Sequence, residues 1–201
     1  MPRYKFQRIR WGREKKSNIP LAMQVDILLQ ALANVSFLAL PAILIAFYSA
    51  PTIHPLEIIG AALWLAAFAL ETISDKQKQA FVRRAREAGD RKAVCNVGLW
   101  KCTRHPNYFF EWMVWNALIV ASVPAYLSLF ETRGENPTAD LLVWIGLGVG
   151  LLFISRIMYT TLVYFTGAVP SEYYSVKKRP GYKAYRKTTN MFFPGPARAA
   201  E

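Results

Sequence analysis

Gly98-Leu99-Trp100-Lys101-Cys102-Thr103-Arg104-His105-Pro106-Asn107-Tyr108-Phe109-Phe110-Glu111 marks the point where a basic, polar segment runs straight into an apolar one. Pro106 suits the first turn of a helix, where its missing N–H costs nothing. A helix that starts there turns its positive end toward any anion held near Arg104 and His105. Two readings follow for the join. It is a phosphate site at a membrane surface, or a basic juxtamembrane segment that faces lipid headgroups.

Outward from this join the chain alternates between charged blocks and long apolar runs. Apolar residues make up 53% of the 201 residues, yet Lys and Arg outnumber Asp and Glu by 25 to 13. A soluble domain would mix those charges through its surface. Here the run 27–50 carries no charge in 24 residues, long enough to cross a hydrocarbon core about 30 Å thick. Further runs cover 56–73, 108–130 and 141–169. The expected architecture is all-α: a polytopic membrane bundle of about four transmembrane helices, with a basic leader at 1–20 and one transmembrane domain at 21–201. Pro41 should bend the first span. The second should continue out of the bilayer through Asp75–Arg86 until Gly89 stops it.

Charge patterning gives a topology. The leader has a net charge of +6, the segment 74–107 one of +6 and the tail from Glu172 one of +5, whereas the loop 131–140 has −2. Four crossings put the three basic segments together, so both termini are expected on the cytoplasmic or matrix face. Basic runs also serve nucleic-acid binding, but the apolar spans exclude that partner in favour of the bilayer. Cys95 and Cys102 match no metal or redox spacing, and no metal centre is expected. Glu71, Glu111 and Arg156 lie within or at the ends of apolar runs, where an ionisable group is a candidate for function. Glu71 and Asp75 are four apart and share a helical face. Tyr182 and Tyr185, among the tail bases, suit either an aromatic–basic interface anchor or a stack for a ligand ring.

These motifs resemble the steroid 5-alpha-reductase C-terminal family. The resemblance rests on Gly98-Leu99-Trp100, Arg104-His105-Pro106-Asn107-Tyr108 and Glu111. It is supported in order by Glu71 to Phe81 with Ser74-Asp75, by Arg179-Pro180-Gly181-Tyr182 with Tyr185, and by Phe192-Phe193-Pro194. It implies a membrane enzyme that uses NADPH to reduce a carbon–carbon double bond conjugated to a ketone in a steroid or other apolar lipid. Asp75 and Asn107 then fall on cofactor-contacting positions, with Glu111 the acid beside them. Arg104, His105, Arg179, Tyr182 and Tyr185 belong to the same motifs. Glu57 and Tyr48 are nearest in position to the catalytic glutamate and tyrosine that the family's N-terminal helices supply.

The chain departs from that pattern in three places. Phe110 stands where the family usually has glycine, and Glu71 where asparagine is common. Only one span precedes the matching region. Two alternatives are therefore carried. Arg-His-Pro is shared with isoprenylcysteine carboxyl methyltransferases, which implies S-adenosylmethionine and an isoprenyl or lipid substrate. The other is a non-catalytic descendant that serves other membrane subunits as a structural partner.

Overall fold

The computed structural model describes residues 2–14, 18–36, 38–131, 134 and 137–198. Among them every regular element is helical: α1 (Pro2–Arg13), α2 (Ile19–Ser36), α3 (Leu40–Phe47), α4 (Pro55–Glu87), α5 (Pro106–Glu131), α6 (Pro137–Thr160), α7 (Ala168–Lys178) and α8 (Tyr182–Thr188). A short 3-10 turn covers Gly98–Lys101, and one wide π turn covers Thr161–Phe165.

Among the described residues, three stretches are long and apolar enough to cross a membrane: Pro55–Glu87, Pro106–Glu131 and Pro137–Lys178, the last taking in α6, the π turn and α7. Only 11% of the apolar window of the first lies buried in the protein, and 22% of each of the others. Leu65, Phe68, Leu142, Leu152 and Phe153 all point outward. An apolar surface of that extent calls for lipid around it. The chain is an integral membrane helical protein.

The run 27–50 folds differently from one continuous span. Its residues are divided between α2 and α3, with Phe37 outside the described residues. The Asn18 side chain accepts the Leu21 N–H at 3.1 Å, so α2 starts at Ile19, well before the apolar run, and takes Asp26 into its length, bonded to Gln30 at 2.7 Å. Pro41 occupies the first turn of α3, the place in a helix that tolerates a residue without an N–H. It therefore opens a new helix where a bend was expected. Within the leader, Pro2–Arg13 form α1, half of whose residues are Arg, Lys or Gln, and α2 already begins at Ile19; residues 1 and 15–17 lie outside the described residues. Of the acidic loop 131–140, Glu131 closes α5 and 137–140 open α6, while residues 132, 133, 135 and 136 lie outside the described residues.

The expected ends elsewhere hold. α4 runs to Glu87, and Gly89 follows with φ +75°, a left-handed position that glycine adopts freely. α5 begins at Pro106, with the His105 carbonyl accepting the Phe109 N–H at 3.1 Å.

The chain divides into two compact units. One comprises Leu65–Met113 and Tyr159–Glu201 together with the first three residues, and the other Tyr4–Trp64 and Val114–Met158. In the second unit, an ideal Cβ on Gly60 would lie 2.6 Å from the Ala121 Cβ and 2.7 Å from its backbone nitrogen. The backbones of α4 and α5 meet there through small residues, a packing that membrane helices favour. Trp144 stacks on Tyr126 with ring centroids 4.8 Å apart and donates to the Tyr126 carbonyl at 3.1 Å, joining α6 to α5.

Gly60→Ala should therefore force the two backbones apart and cost about 1–3 kcal/mol, read as a lowered melting temperature in detergent. Gly146→Ala, whose Cβ would meet nothing within 4 Å, should leave it unchanged or slightly raised.

Candidate functional site

The first unit is assembled by the motif residues. Gly98 has φ +52°, and a Cβ there would run into the Gln77 carboxamide, with Cδ and Nε2 both at 2.6 Å. Only glycine lets the chain turn this closely onto α4. Gln77 Oε1 then accepts the Leu99 N–H at 2.9 Å, and Trp100 Nε1 donates to the Ser74 carbonyl at 2.9 Å. The Lys78 ammonium sits 4.1 Å above the Trp100 ring, and the Tyr185 hydroxyl donates to the Trp100 carbonyl. Gly98-Leu99-Trp100 is thus the latch that holds the loop to α4 and α8.

Arg104 and His105 face inward. Arg104 Nε donates to Glu172 Oε1 at 2.6 Å and Nη2 to Oε2 at 3.3 Å. Arg104 Nη1 donates to the Arg186 carbonyl at 3.1 Å and to the Thr189 carbonyl. His105 Nε2 lies 3.1 Å from Glu172 Oε1, and Arg186 Nε 3.2 Å from Oε2. Arg104 is 7% exposed, and His105 and Glu172 are each 5% exposed. The tail completes the clamp: Thr103 Oγ1 donates to the carbonyls of Met191 and Phe192 at 3.1 and 2.9 Å, and the Gly195 N–H donates to the Cys102 carbonyl at 3.0 Å. Burial holds the His105 pKa below its ordinary value, against the opposing pull of the Glu172 hydrogen bond. The ring is neutral, with Nε2–H donating to Glu172. Burial likewise pushes the Tyr182 and Tyr185 hydroxyls up, so both stay protonated.

A second arrangement lies along α4. Glu71, Asp75, Lys78, Val82 and Arg86 recur at helical spacing on one face. At one end of this stripe, Glu71 and Asp75 are near enough to Glu111 of α5 to repel it electrostatically. Asn107 lies one turn before Glu111 on α5, and its Oδ1 is buried with no hydrogen-bond partner. Tyr108 beside it stacks on His105, with centroids 5.4 Å apart and planes within 10°. Phe110 packs edge-on to Phe109 at 5.3 Å.

At the other end, Lys78, Val82, Ala85 and Arg86 line a cleft of about 490 Å³ with Arg91, Lys178, Arg179 and Tyr182. Five cations face one acid there, Asp90, whose Oδ1 already accepts the Lys92 N–H at 3.0 Å. Cys95 also lines the cleft, and its thiol pKa is raised by burial against the pull of Lys78.

The structure therefore brings Asp75 near Glu111, with Asn107 one turn before Glu111 on α5, and Arg179 and Tyr182 to the basic cleft. Arg104, His105 and Tyr185 are engaged in holding the unit together. Glu57 and Tyr48 belong to the other unit. Glu57 Oε2 accepts the His54 N–H at 2.7 Å ahead of α4, and Tyr48 ends α3. Two residues had no flag in the sequence. Glu172 reads there as one more tail acid, and its pairing with Arg104 spans 68 positions. Tyr174, whose hydroxyl is buried without a partner, carries no sequence signal beyond a polar atom on an otherwise apolar side chain.

A family model described as a protein of unknown function (DUF1295) matches residues 2–189. The chain belongs to this family, which is steroid 5-alpha-reductase-like. No curated protein and no solved structure matches the chain.

His105 supplies a pH signature. Because its folded pKa lies below the unfolded one, near 6.5, the unfolded chain binds more protons in mild acid. The stability that neutral His105 contributes is complete above about pH 6.5 and is lost as pH falls through that value. Melting temperatures measured from about pH 7.5 to about pH 5.5 should fall more steeply for the natural chain than for His105→Gln. Parallel curves would remove this role.

Proposed function

We propose that this DUF1295 chain is a membrane-embedded reductase that binds NADPH and reduces a conjugated carbon–carbon double bond in an apolar lipid or steroid-like substrate. The observation that carries the reading is the polarity of the α4 stripe: acceptors at the Glu71–Asp75 end and cations at the Arg86 end. From Asp75 to Arg86 the helix rises about 16 Å. A ligand matched to it has hydrogen-bond donors or positive charge at one end and phosphate at the other.

A nicotinamide dinucleotide has that character. Its carboxamide donates N–H and its oxidised ring is cationic, which suits the unpartnered Asn107 oxygen and the carboxylates of Asp75 and Glu111. Its phosphates suit Lys78, Arg86, Arg91, Lys178 and Arg179, with Arg giving planar, paired donors. When bound, the cofactor would supply hydride to one carbon of the electron-poor alkene, and a proton taken up from water would complete the reduction at the other. The chain's own residues hold and orient it: Asn107 accepts from the carboxamide, and the cleft cations neutralise the phosphates. The apolar spans offer the substrate a route through lipid. By the positive-inside rule the cleft faces the cytoplasm or matrix, where soluble dinucleotide is found.

The acceptor-rich end also suits the sulfonium and ammonium of S-adenosylmethionine. That ligand has no phosphate, however, and would leave the five cations of the cleft unused. The dinucleotide is therefore the better match.

Thermal-shift titration of the detergent-purified chain with NADPH, NADH and S-adenosylmethionine tests this reading. Ligand at 100 times its dissociation constant stabilises the folded state by about 2.7 kcal/mol. NADPH should raise the melting temperature at the lowest concentration, NADH less readily, and S-adenosylmethionine not at all. Asn107→Ala should weaken NADPH binding at least about tenfold, about 1.4 kcal/mol, with the melting temperature of the ligand-free protein held, since the lost oxygen has no partner in the protein. A shift with S-adenosylmethionine alone would favour the methyltransferase. Silence from all three would favour the structural subunit.

A further inference from the structure

We infer that Glu172 is a positioning residue for the ligand face on α5, acting through His105 and Arg104 on the direction in which Asn107 presents its amide oxygen. This rests on the ligand reading above. The chain of contacts is short. Glu172 holds the His105 ring at 3.1 Å and the Arg104 guanidinium at 2.6 Å. The His105 ring stacks on Tyr108, and its carbonyl accepts the Phe109 N–H that opens α5. Asn107 lies between these two contacts, in the first helical turn. No hydrogen bond of its own side-chain oxygen fixes its direction, so the turn that carries it must do so.

The chemistry of the cluster supports orientation as its use. Burying charges is costly, and apolar side chains of similar volume often hold a fold at least as well. A buried carboxylate that takes a guanidinium and an imidazole fixes angles as well as distance, because the guanidinium and imidazole N–H groups point in set directions. Both donors come from consecutive residues immediately before Pro106. Arg104 is also bonded through its backbone N–H to the Asn190 carbonyl at 2.9 Å, so the approach to α5 is held on several sides.

The test is a double-mutant cycle on the detergent-purified full chain, with NADPH affinity measured well below every variant's melting temperature. Glu172→Gln removes the charge and keeps the shape. It should weaken NADPH binding at least about tenfold, and Asn107→Ala with Glu172→Gln should bind within about twofold of Asn107→Ala alone, because residues that act through one another are not additive. Gly60→Ala lowers stability from the other unit and should leave affinity unchanged, which separates positioning from a general loss of stability. If Glu172→Gln fails to fold, Glu172→Asp replaces it, keeping the charge but withdrawing it by one methylene; the same non-additivity is expected.

Natural-chain affinity in Glu172→Gln, or losses that multiply in the double variant, would overturn the inference while leaving the NADPH reading intact. Unaltered binding in Asn107→Ala would overturn both the role of Asn107 and this inference. A natural chain that binds no dinucleotide would overturn the reading on which both stand.

Discussion

The carboxylate of Glu172 receives Arg104, His105 and Arg186, and the first unit depends on that convergence. The donors come from two parts of the structure: Arg104 and His105 from the approach to α5, Arg186 from α8. Removing one member of a buried pair typically costs about 3–5 kcal/mol, because the other charge is left without compensation. That is a large share of a marginal stability of about 5–15 kcal/mol. The helices themselves need no such device, since their backbone groups are satisfied internally. What the cluster adds is a fixed arrangement of α7, α8 and the approach to α5.

Charge in this chain is sorted by task. In α4 the acids precede the bases along one face, so a single helix presents acceptors where α5 meets it and donors where the loop returns. Arg86 and Arg91 of the cleft are exposed, whereas Arg104 is enclosed. The two kinds of arginine differ in consequence. An enclosed one is tied to a partner at fixed geometry, and an exposed one stays able to take a phosphate.

Much of the fold was legible in the sequence because membrane helices obey a simple constraint of length and apolarity. Gly89 and Pro106 marked their helix ends for local steric reasons that need no tertiary context. The division of the run 27–50 was less legible. Pro41 is compatible with a bent helix or with the first turn of a new one, and apolarity cannot choose between them. Asn18, which sets the start of α2, is a capping residue hidden at the edge of a basic leader. In the site, Glu71 and Glu111 stood out because ionisable groups in apolar runs demand a reason, whereas Asp75 and Asn107 were marked by the family resemblance. Arg104 and His105 stood out equally, but their partner lies far along the chain at Glu172. A residue's chemistry can be read from the sequence; the group it meets across 68 positions cannot.

The inward direction of Arg104 and His105 bears on how such a chain would drift under mutation. A descendant that no longer bound any small molecule would still need both side chains to keep its tail in place, just as it would still need Gly98 to make its turn. The same Arg-His pair before the proline would then persist as a mark of architecture alone. Evidence for a working enzyme would have to be sought further on, at Asn107 and Glu111, the residues proposed to meet the ligand.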